Sequence, residues 1–293
     1  FTVFAAYRIK SYNASSLSLD IQIMSNILDK IFSDKKVELD SVKRRLALPD
    51  VKMRISDKSH KIRNIKNALQ TGKESCIIAE IKPRTPFKGE LRKNVDSVDI
   101  AKIYAENDAA ALSILTESSY FGGSISILEK VRECVDIPLL RKDFIFDEYQ
   151  VYETKAFGAD LFLLIASWLD KNHLADLLAL GQELDLPALV ETHNEKDMEK
   201  AFAAGGSILG INNRDLTSGK TDLDIARRLI PMALQVPGNL IVCESGIHSR
   251  TEIEEFEERG AHSFLIGESL MTAENIGEKL KELTGVRKTS AAS

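Results

Sequence analysis

Glu80 and Lys82 close an apolar run, Cys76-Ile77-Ile78-Ala79-Glu80-Ile81-Lys82, in which a two-residue period puts both charges on one side of an extended chain. Ile77, Ala79 and Ile81 take the other side. Charge carried into an interior is costly unless it is paired, so one such pair could be a structural ion pair and nothing more. The same pattern recurs along the chain. Lys142 follows Leu139-Leu140-Arg141, Glu191 follows Ala188-Leu189-Val190, Asn212 and Arg214 follow Ile208-Leu209-Gly210-Ile211, and Glu244-Ser245 follow Leu240-Ile241-Val242-Cys243. Carboxylates, two lysines and an asparagine at matching strand tips are what acid-base catalysis uses. An ammonium beside apolar walls and a second cation gives up its proton more readily, and nearby carboxylates do the reverse. Lys82 and Lys142 therefore read as a tuned pair, one electrostatic and one a proton donor, with the order of the two left open. Gly246 and Gly267, in Glu244-Ser245-Gly246-Ile247 and Leu265-Ile266-Gly267-Glu268-Ser269, add positions where backbone N–H groups can approach an anion, which favours a phosphorylated small-molecule substrate.

These tips need a frame that brings them together. Apolar runs at 76–82, 110–116, 137–144, 161–167, 187–193, 208–214, 240–246 and 263–268 read as strands. Amphipathic stretches between them, near 96–107, 124–135, 147–157, 171–184, 195–204, 222–229, 249–259 and 274–283, read as helices, with Gly158, Gly205 and Gly260 at or just past helix ends. Eight strand-helix units over about 210 residues suit a closed parallel barrel, with active groups at the strands' C-terminal ends. No glycine-rich dinucleotide fingerprint follows the first strand, which argues against a doubly wound sheet. Residues 1–20 form a peripheral segment, 21–75 an N-terminal helical extension, 76–285 the barrel and 286–293 a disordered tail. Within the extension, the spacing predicts one helix over 20–46, broken once, and a basic helix over 61–69.

The chain has 293 residues, 44% of them apolar and 28% charged, enough for a sizeable core, and a net charge of −5 supplies no basic field for nucleic acid. No apolar run is long enough to span a bilayer. Cys76, Cys134 and Cys243 are odd in number and far apart, which points to reduced, buried thiols in the cytoplasm. Residues 1–19 are Ser-rich and lack acidic side chains, weakly like an organelle transit peptide but without a cleavage signal; Met24 is a candidate natural start. His193 reads as a neutral residue on the barrel rim. His60, His173, His248 and His262 read as surface or cap positions, and no two histidines have metal-ligand spacing.

The segments IIAEIK with a following TPFKG, LTESSYFGGS, PLLRKDF, LFLLIA, ALVETH, GINNRDL, ESGI and FLIGESLM, in that order, closely resemble the indole-3-glycerol phosphate synthase family. The likeness runs from about Met24 to Leu283 and touches every predicted strand. It implies an α/β (β/α)8 TIM barrel with an N-terminal helical extension. It also implies closure, decarboxylation and dehydration of a carboxyphenylamino deoxyribulose phosphate to indole-3-glycerol phosphate, in tryptophan synthesis, with no metal and no organic cofactor. Carried over residue by residue, it makes Lys142 the general acid and Glu191 the general base. Lys82 neutralises substrate charge or protonates a leaving hydroxyl, while Glu80 and Glu244 orient the lysines and substrate hydroxyls. Asn212, Ser245, Arg214 and Thr85 contact substrate; Gly246, Gly267 and the backbone of Glu268 hold phosphate; Phe121, Phe144, Leu163, Leu216 and Ile266 line an apolar slot. A monomer, not fused to another pathway enzyme, is expected, with neither nucleic acid nor membrane as partner. Two departures from the family pattern stand out. Pro83 and Phe87 alter the loop after the first strand, so its gating should differ, and Glu268 replaces a small hydroxyl residue and should turn its carboxylate from the phosphate. Another sugar-phosphate barrel, such as phosphoribosylanthranilate isomerase, fits the two lysines and Glu191 less well, and a catalytically silent barrel would not need them.

Overall fold

Strands built from Leu, Ile, Val and Ala with almost no polar interruption must be covered on both faces, which parallel strands wrapped by helices achieve. In the computed structural model, which describes residues 14–57, 61–70, 75–93, 96–215 and 218–285, eight such strands close on themselves. They are β1 (Cys76–Ile81), β2 (Ala111–Leu115), β3 (Leu139–Lys142), β4 (Leu161–Ile165), β5 (Ala188–Thr192), β6 (Ile208–Asn212), β7 (Leu240–Glu244) and β8 (Ser263–Ile266). Every neighbouring pair is parallel, and β1 closes the ring by pairing with β2 on one side and β8 on the other. The predicted strands overran the ladder at their C-terminal ends: Lys142, Glu191, Asn212 and Glu244 are still paired within it, and the residues just past them turn into the loops of the mouth.

Helices alternate with the strands: α4 (Ser97–Glu106), α5 (Ile125–Cys134), α6 (Glu148–Ala156), α7 (Lys171–Glu183), α8 (Glu195–Ala204), α9 (Asp224–Ala233), α10 (Arg250–Glu258), a single turn α11 (Glu268–Met271) and α12 (Ile276–Thr284). Their starts are legible in side chains: Asp147 with Gln150 and Ser249 with Glu252 form reciprocal capping boxes. Gly158, Gly205 and Gly260 take the left-handed backbone just past α6, α8 and α10. Helix α9 runs beyond its predicted end, through Pro231, because Ala226, Leu229, Ile230 and Ala233 keep one buried face in register.

Before the barrel lie α1 (Ala14–Arg45), α2 (Leu48–Asp57) and α3 (Ile65–Ala68). The expected break inside the first helix is absent: the chain holds one helix until it turns ahead of Pro49, and α2 was not foreseen. The expected basic helix over 61–69 shrinks to one turn capped by Asn64. Cys134, expected to be buried, is exposed, whereas Cys76 and Cys243 are buried, and none of the three is joined in a disulfide. Expectations placed on residues 1–13 and 286–293 lie outside the described residues, and among the described residues no helix is long and apolar enough to cross a membrane.

Two apolar layers result. One fills the space between strands and outer helices, and the other fills the barrel with Ile78, Ala111, Leu140, Leu161, Leu189, Ile208, Leu240 and Val242. Ile65 and Leu69, at α3, belong to this inner layer and plug the barrel at the end opposite the polar tips. Ile65→Ala should therefore destabilise the barrel by ~2–5 kcal/mol while leaving KM near its native value, as chemical denaturation and steady-state kinetics would show.

The helix α1 crosses toward the other end. Lys35, 5% exposed, meets Asp143 at 2.9 Å, and Asp143 also binds Arg141 at 3.1 Å and the Thr116 hydroxyl at 2.6 Å. Arg141 completes the network through Glu153 at 2.8 Å. Phe32 stacks on Trp168 at 3.7 Å and meets Phe144 edge-on at 5.1 Å. Val51 of α2 packs with Leu39, Tyr149 and Ala156.

Candidate active site

At the C-terminal ends of the strands, the inward-facing tips converge on one mouth. The Nζ of Lys142 lies 2.7 Å from Glu191 Oε2 and 2.6 Å from Glu244 Oε2, so one ammonium bridges carboxylates from β5 and β7. Across the mouth, Lys82 Nζ lies 2.5 Å from Glu80 Oε2. Glu80, Lys142, Glu191 and Glu244 sit at one level because each is the last inward residue of its strand, and Lys82 stands just past the end of β1. Strand alternation sorts the Arg141-Lys142-Asp143 triplet: Lys142 faces the mouth, and its two neighbours face the buried network under α1 and α6.

Backbone space is set for these groups. A Cβ on Gly210 would run into the Glu244 carboxylate, and one on Gly267 would run into that of Glu80. Glycine is thus needed at both positions for close approach rather than for an unusual backbone angle. The Oε1 of Glu244 is buried and has no hydrogen-bond partner.

The protonation pattern follows. Burial opposes the charge on Lys142, but Glu191 and Glu244 outweigh it and raise its pKa. Burial pulls Glu191 upward, yet Lys142 and His193 together hold it well below the ordinary carboxylate range. Glu244 goes the other way: burial pushes it up to about 7, helped by the charges of Glu191 and Glu80 and opposed by Lys142. Of the two carboxylates on Lys142, Glu191 is driven toward the ionised form and Glu244 toward the protonated one.

His193 corrects an expectation. It is not a neutral rim residue: its side chain is 11% exposed, its Nε2 is 3.2 Å from Glu191 Oε1 and its Nδ1 is 3.8 Å from Asp197 Oδ2. Burial disfavours its charge, but Asp197 and Glu191 overcome this and raise its pKa to about 9.

Around this centre, loops close the mouth. The Asn212 side chain accepts the Arg214 N–H at 3.0 Å. Its neighbour Asn213 is fully buried and donates to the carbonyls of Glu244 and Ser245, tying the ends of β6 and β7 together. Ser245 and Gly246 both adopt positive φ, 63° and 78°, a sharp turn that a non-glycine residue occupies only under local strain. Gly267 precedes α11, whose first N–H groups have no side-chain cap. The Glu268 carboxylate lines the mouth and joins two loops: it pairs with Lys88 from the loop after β1 and with Arg214 at 3.2 Å. The Thr85 hydroxyl accepts the Lys88 N–H at 3.0 Å within a small hairpin, Arg84–Thr85 against Gly89–Glu90. The Phe87 ring lies against Gly219, so the loops after β1 and β6 touch.

Apolar walls come from Phe121 and Phe144, with centroids 6.2 Å apart, and from Leu163. Ile266 borders the mouth, but its side chain packs in the layer between sheet and helices; Leu265, one residue earlier, faces the barrel interior. Leu216 lies outside the described residues. The sequence reading missed Glu117, which is buried, borders the mouth and accepts the N–H groups of Ser119, Tyr120 and Phe121. Because β2 alone among the first three strands was given no polar tip, the rule that found Lys142 could have found Glu117 two residues past Leu115. It also missed Ile31 of α1, His248 and Phe87 as lining residues; nothing local in the sequence places α1 at the mouth. Among the described residues, no group of three His, Cys, Asp or Glu side chains is arranged to hold a metal ion.

The family described as indole-3-glycerol phosphate synthase matches residues 28–283. The chain is 42% identical over 269 residues to the indole-3-glycerol phosphate synthase of Roseiflexus sp. (strain RS-1), covering 89% of this chain and 99% of that protein. It is 41% identical over 260 residues to the protein of the same name from Dehalococcoides mccartyi (strain CBDB1), covering 88% and 99%. Among solved structures, it resembles the thiamine phosphate pyrophosphorylase of Pyrococcus furiosus with a TM-score of 0.56 at 16% identity, over 75% of this chain and 96% of that one. A 3-hexulose-6-phosphate synthase gives the same TM-score and identity over 72% and 98%. At that identity the structural likeness speaks for the barrel alone.

Proposed function

The chain belongs to the indole-3-glycerol phosphate synthase family, and from that premise we propose which side chains carry its reaction. The reaction closes the ring of a carboxyphenylamino deoxyribulose phosphate, releases carbon dioxide and then water, and leaves indole-3-glycerol phosphate. The observation that carries the assignment is the Lys142 ammonium set between Glu191 and Glu244, opposite the Glu80–Lys82 pair, inside an apolar-walled mouth.

Ring closure requires a polarised ketone held against the aromatic carbon ortho to the amine. Lys142, kept protonated by two carboxylates, donates to the ketone oxygen as the new carbon–carbon bond forms. Phe121, Phe144 and Leu163 hold the aromatic ring, and the turn at Ser245–Gly246 with the N–H groups of Gly267 and Glu268 receives the phosphate, so that orientation comes from both ends of the substrate. Loss of carbon dioxide returns the bonding electrons to the ring, with Lys82 neutralising the departing carboxylate. That loss itself restores the aromatic ring; in the dehydration that follows, Glu191 accepts the proton of the methylene carbon beside the amine nitrogen, whose C–H electrons form the new ring double bond. The hydroxyl formed from the ketone then leaves as water with a proton from Lys82, which Glu80 positions. Asn212 and Arg214 order the sugar side of the mouth, and Thr85 acts mainly through the hairpin it stabilises.

Every group in this scheme comes from one barrel, which supports a monomer as the acting unit, and three cysteines not joined in disulfides support a reducing, cytoplasmic setting. Purified protein given the carboxyphenylamino deoxyribulose phosphate should produce indole absorbance and fluorescence. Glu191→Gln should keep the fold and lower kcat by about 10²- to 10⁴-fold. Native turnover in that variant would remove Glu191 from the scheme.

A further inference from the structure

We propose that His193, held as an imidazolium between Glu191 and Asp197, is a positioning residue that keeps Glu191 the ionised member of the carboxylate pair on Lys142. The inference rests on the reading of Glu191 as the base. Its grounds are geometric. Lys142 alone does not distinguish its two partners, at 2.7 Å and 2.6 Å, and a buried site with two carboxylates around one cation favours retaining a proton on one of them. Only Glu191 has a second potential cation, with His193 Nε2 3.2 Å from the oxygen that Lys142 leaves free. The corresponding oxygen of Glu244 has no cation or hydrogen-bond donor beside it among the described residues.

The ring is fixed from behind. Asp197 Oδ2 lies 3.8 Å from Nδ1 and is itself held by the Asn194 amide at 3.1 Å and the His193 backbone N–H at 3.3 Å, at the start of α8. The approach of each ring nitrogen to its carboxylate is off-line for a hydrogen bond, at 3.2 Å to Glu191 and 3.8 Å to Asp197, so the ring faces Glu191 at ion-pair distance. The charged groups bearing on it are Glu191 from its own strand and Asp197 from α8; Lys142 of β3 and Glu244 of β7 reach it through Glu191. The flanking strands place uncharged Ile165 and Gly210 opposite Glu191. No other cation lies within ion-pair distance of Glu191 among the described residues.

Removing the imidazolium should let the shared proton settle on Glu191 and disable it as an acceptor. The test compares native protein with His193→Gln and Asp197→Asn in steady-state kinetics from about pH 5 to pH 10, with ring ¹⁵N NMR of His193. His193→Gln should lose roughly tenfold or more in kcat near pH 7, with KM little changed, and its acid limb in kcat/KM should move to higher pH. Asp197→Asn should move the limb the same way by less. The His193 ring should be doubly protonated near pH 8 in native protein and neutral there in Glu191→Gln. An unmoved acid limb, a loss of rate equal at all pH values, or a neutral ring in native protein near pH 8 would each overturn the proposal. Turnover by Glu191→Gln reports separately on the base itself, because the NMR comparison tests the His193–Glu191 coupling whether or not Glu191 is catalytic.

Discussion

Lys142→Ala is expected to lower kcat by about 10³-fold or more while the protein remains folded. The rate effect combines loss of a positioned acid with loss of the charge that stabilises the developing alkoxide. Removing one member of a buried ionic cluster ordinarily destabilises strongly, because the remaining charges are left without compensation. Here Glu244 offers a way out. Its pKa already stands near 7, and without Lys142 it rises further, so the carboxyl takes up a proton near neutral pH and buries no charge. Glu191 keeps His193 as its cation. The variant should therefore melt cooperatively, with a loss in Tm much smaller than its loss of rate, as calorimetry beside single-turnover kinetics would show. Native turnover in Lys142→Ala would remove the proposed acid, and unfolding would show that the lysine acts chiefly as structural glue.

Asp143→Ala should have the opposite profile, a large loss of stability. Asp143 is the shared anion of a buried network in which Arg141 is 3% exposed and Lys35 is 5% exposed, so its removal leaves Arg141 with Glu153 alone and Lys35 with only the more exposed Glu38 at 3.3 Å. Breaking a buried pair in this way costs about 3–5 kcal/mol, which for a chain of this size lowers Tm by roughly ten degrees. Lys35 is on α1, so the helix should loosen from the barrel before the barrel itself melts, giving an early phase in amide exchange at 30–45. The network also has a pH signature. Burial opposes ionisation of Asp143, but Lys35 and Arg141 prevail and hold its pKa below the ordinary aspartate value. Its contribution is thus present above the ordinary carboxylate range and lost as pH falls through the lower folded value, so the native protein should be acid-labile where Asp143→Ala shows a flatter dependence. A melting temperature within two or three degrees of native for Asp143→Ala would refute the network's role.

Both residues come from the same short segment, Leu140-Arg141-Lys142-Asp143, and it shows how far the sequence reaches. Alternation along a buried strand is a local property, so the sequence determined that Lys142 shares a face with the barrel interior. The repeated strand-helix pattern determined that its C-terminal tip joins those of Glu80, Glu191, Asn212 and Glu244. Caps such as Asp147 and Ser249 and the glycines after α6, α8 and α10 are also short-range facts, readable because each depends on only a few neighbouring residues.

What lies opposite Arg141 and Asp143 was not legible, because their partners are distant in sequence: Lys35 lies 108 positions before Asp143, on a helix whose own periodicity says nothing about where it docks. For the same reason, Ile31 and Phe32 could not be read as neighbours of the mouth, nor His193 as charged. A histidine's ionisation depends on the summed pull of Glu191 and Asp197 against burial, and all three quantities exist only once the chain is folded. Residue type and spacing set which groups face inward; distance and desolvation, which belong to the tertiary structure alone, decided which of them carry a proton.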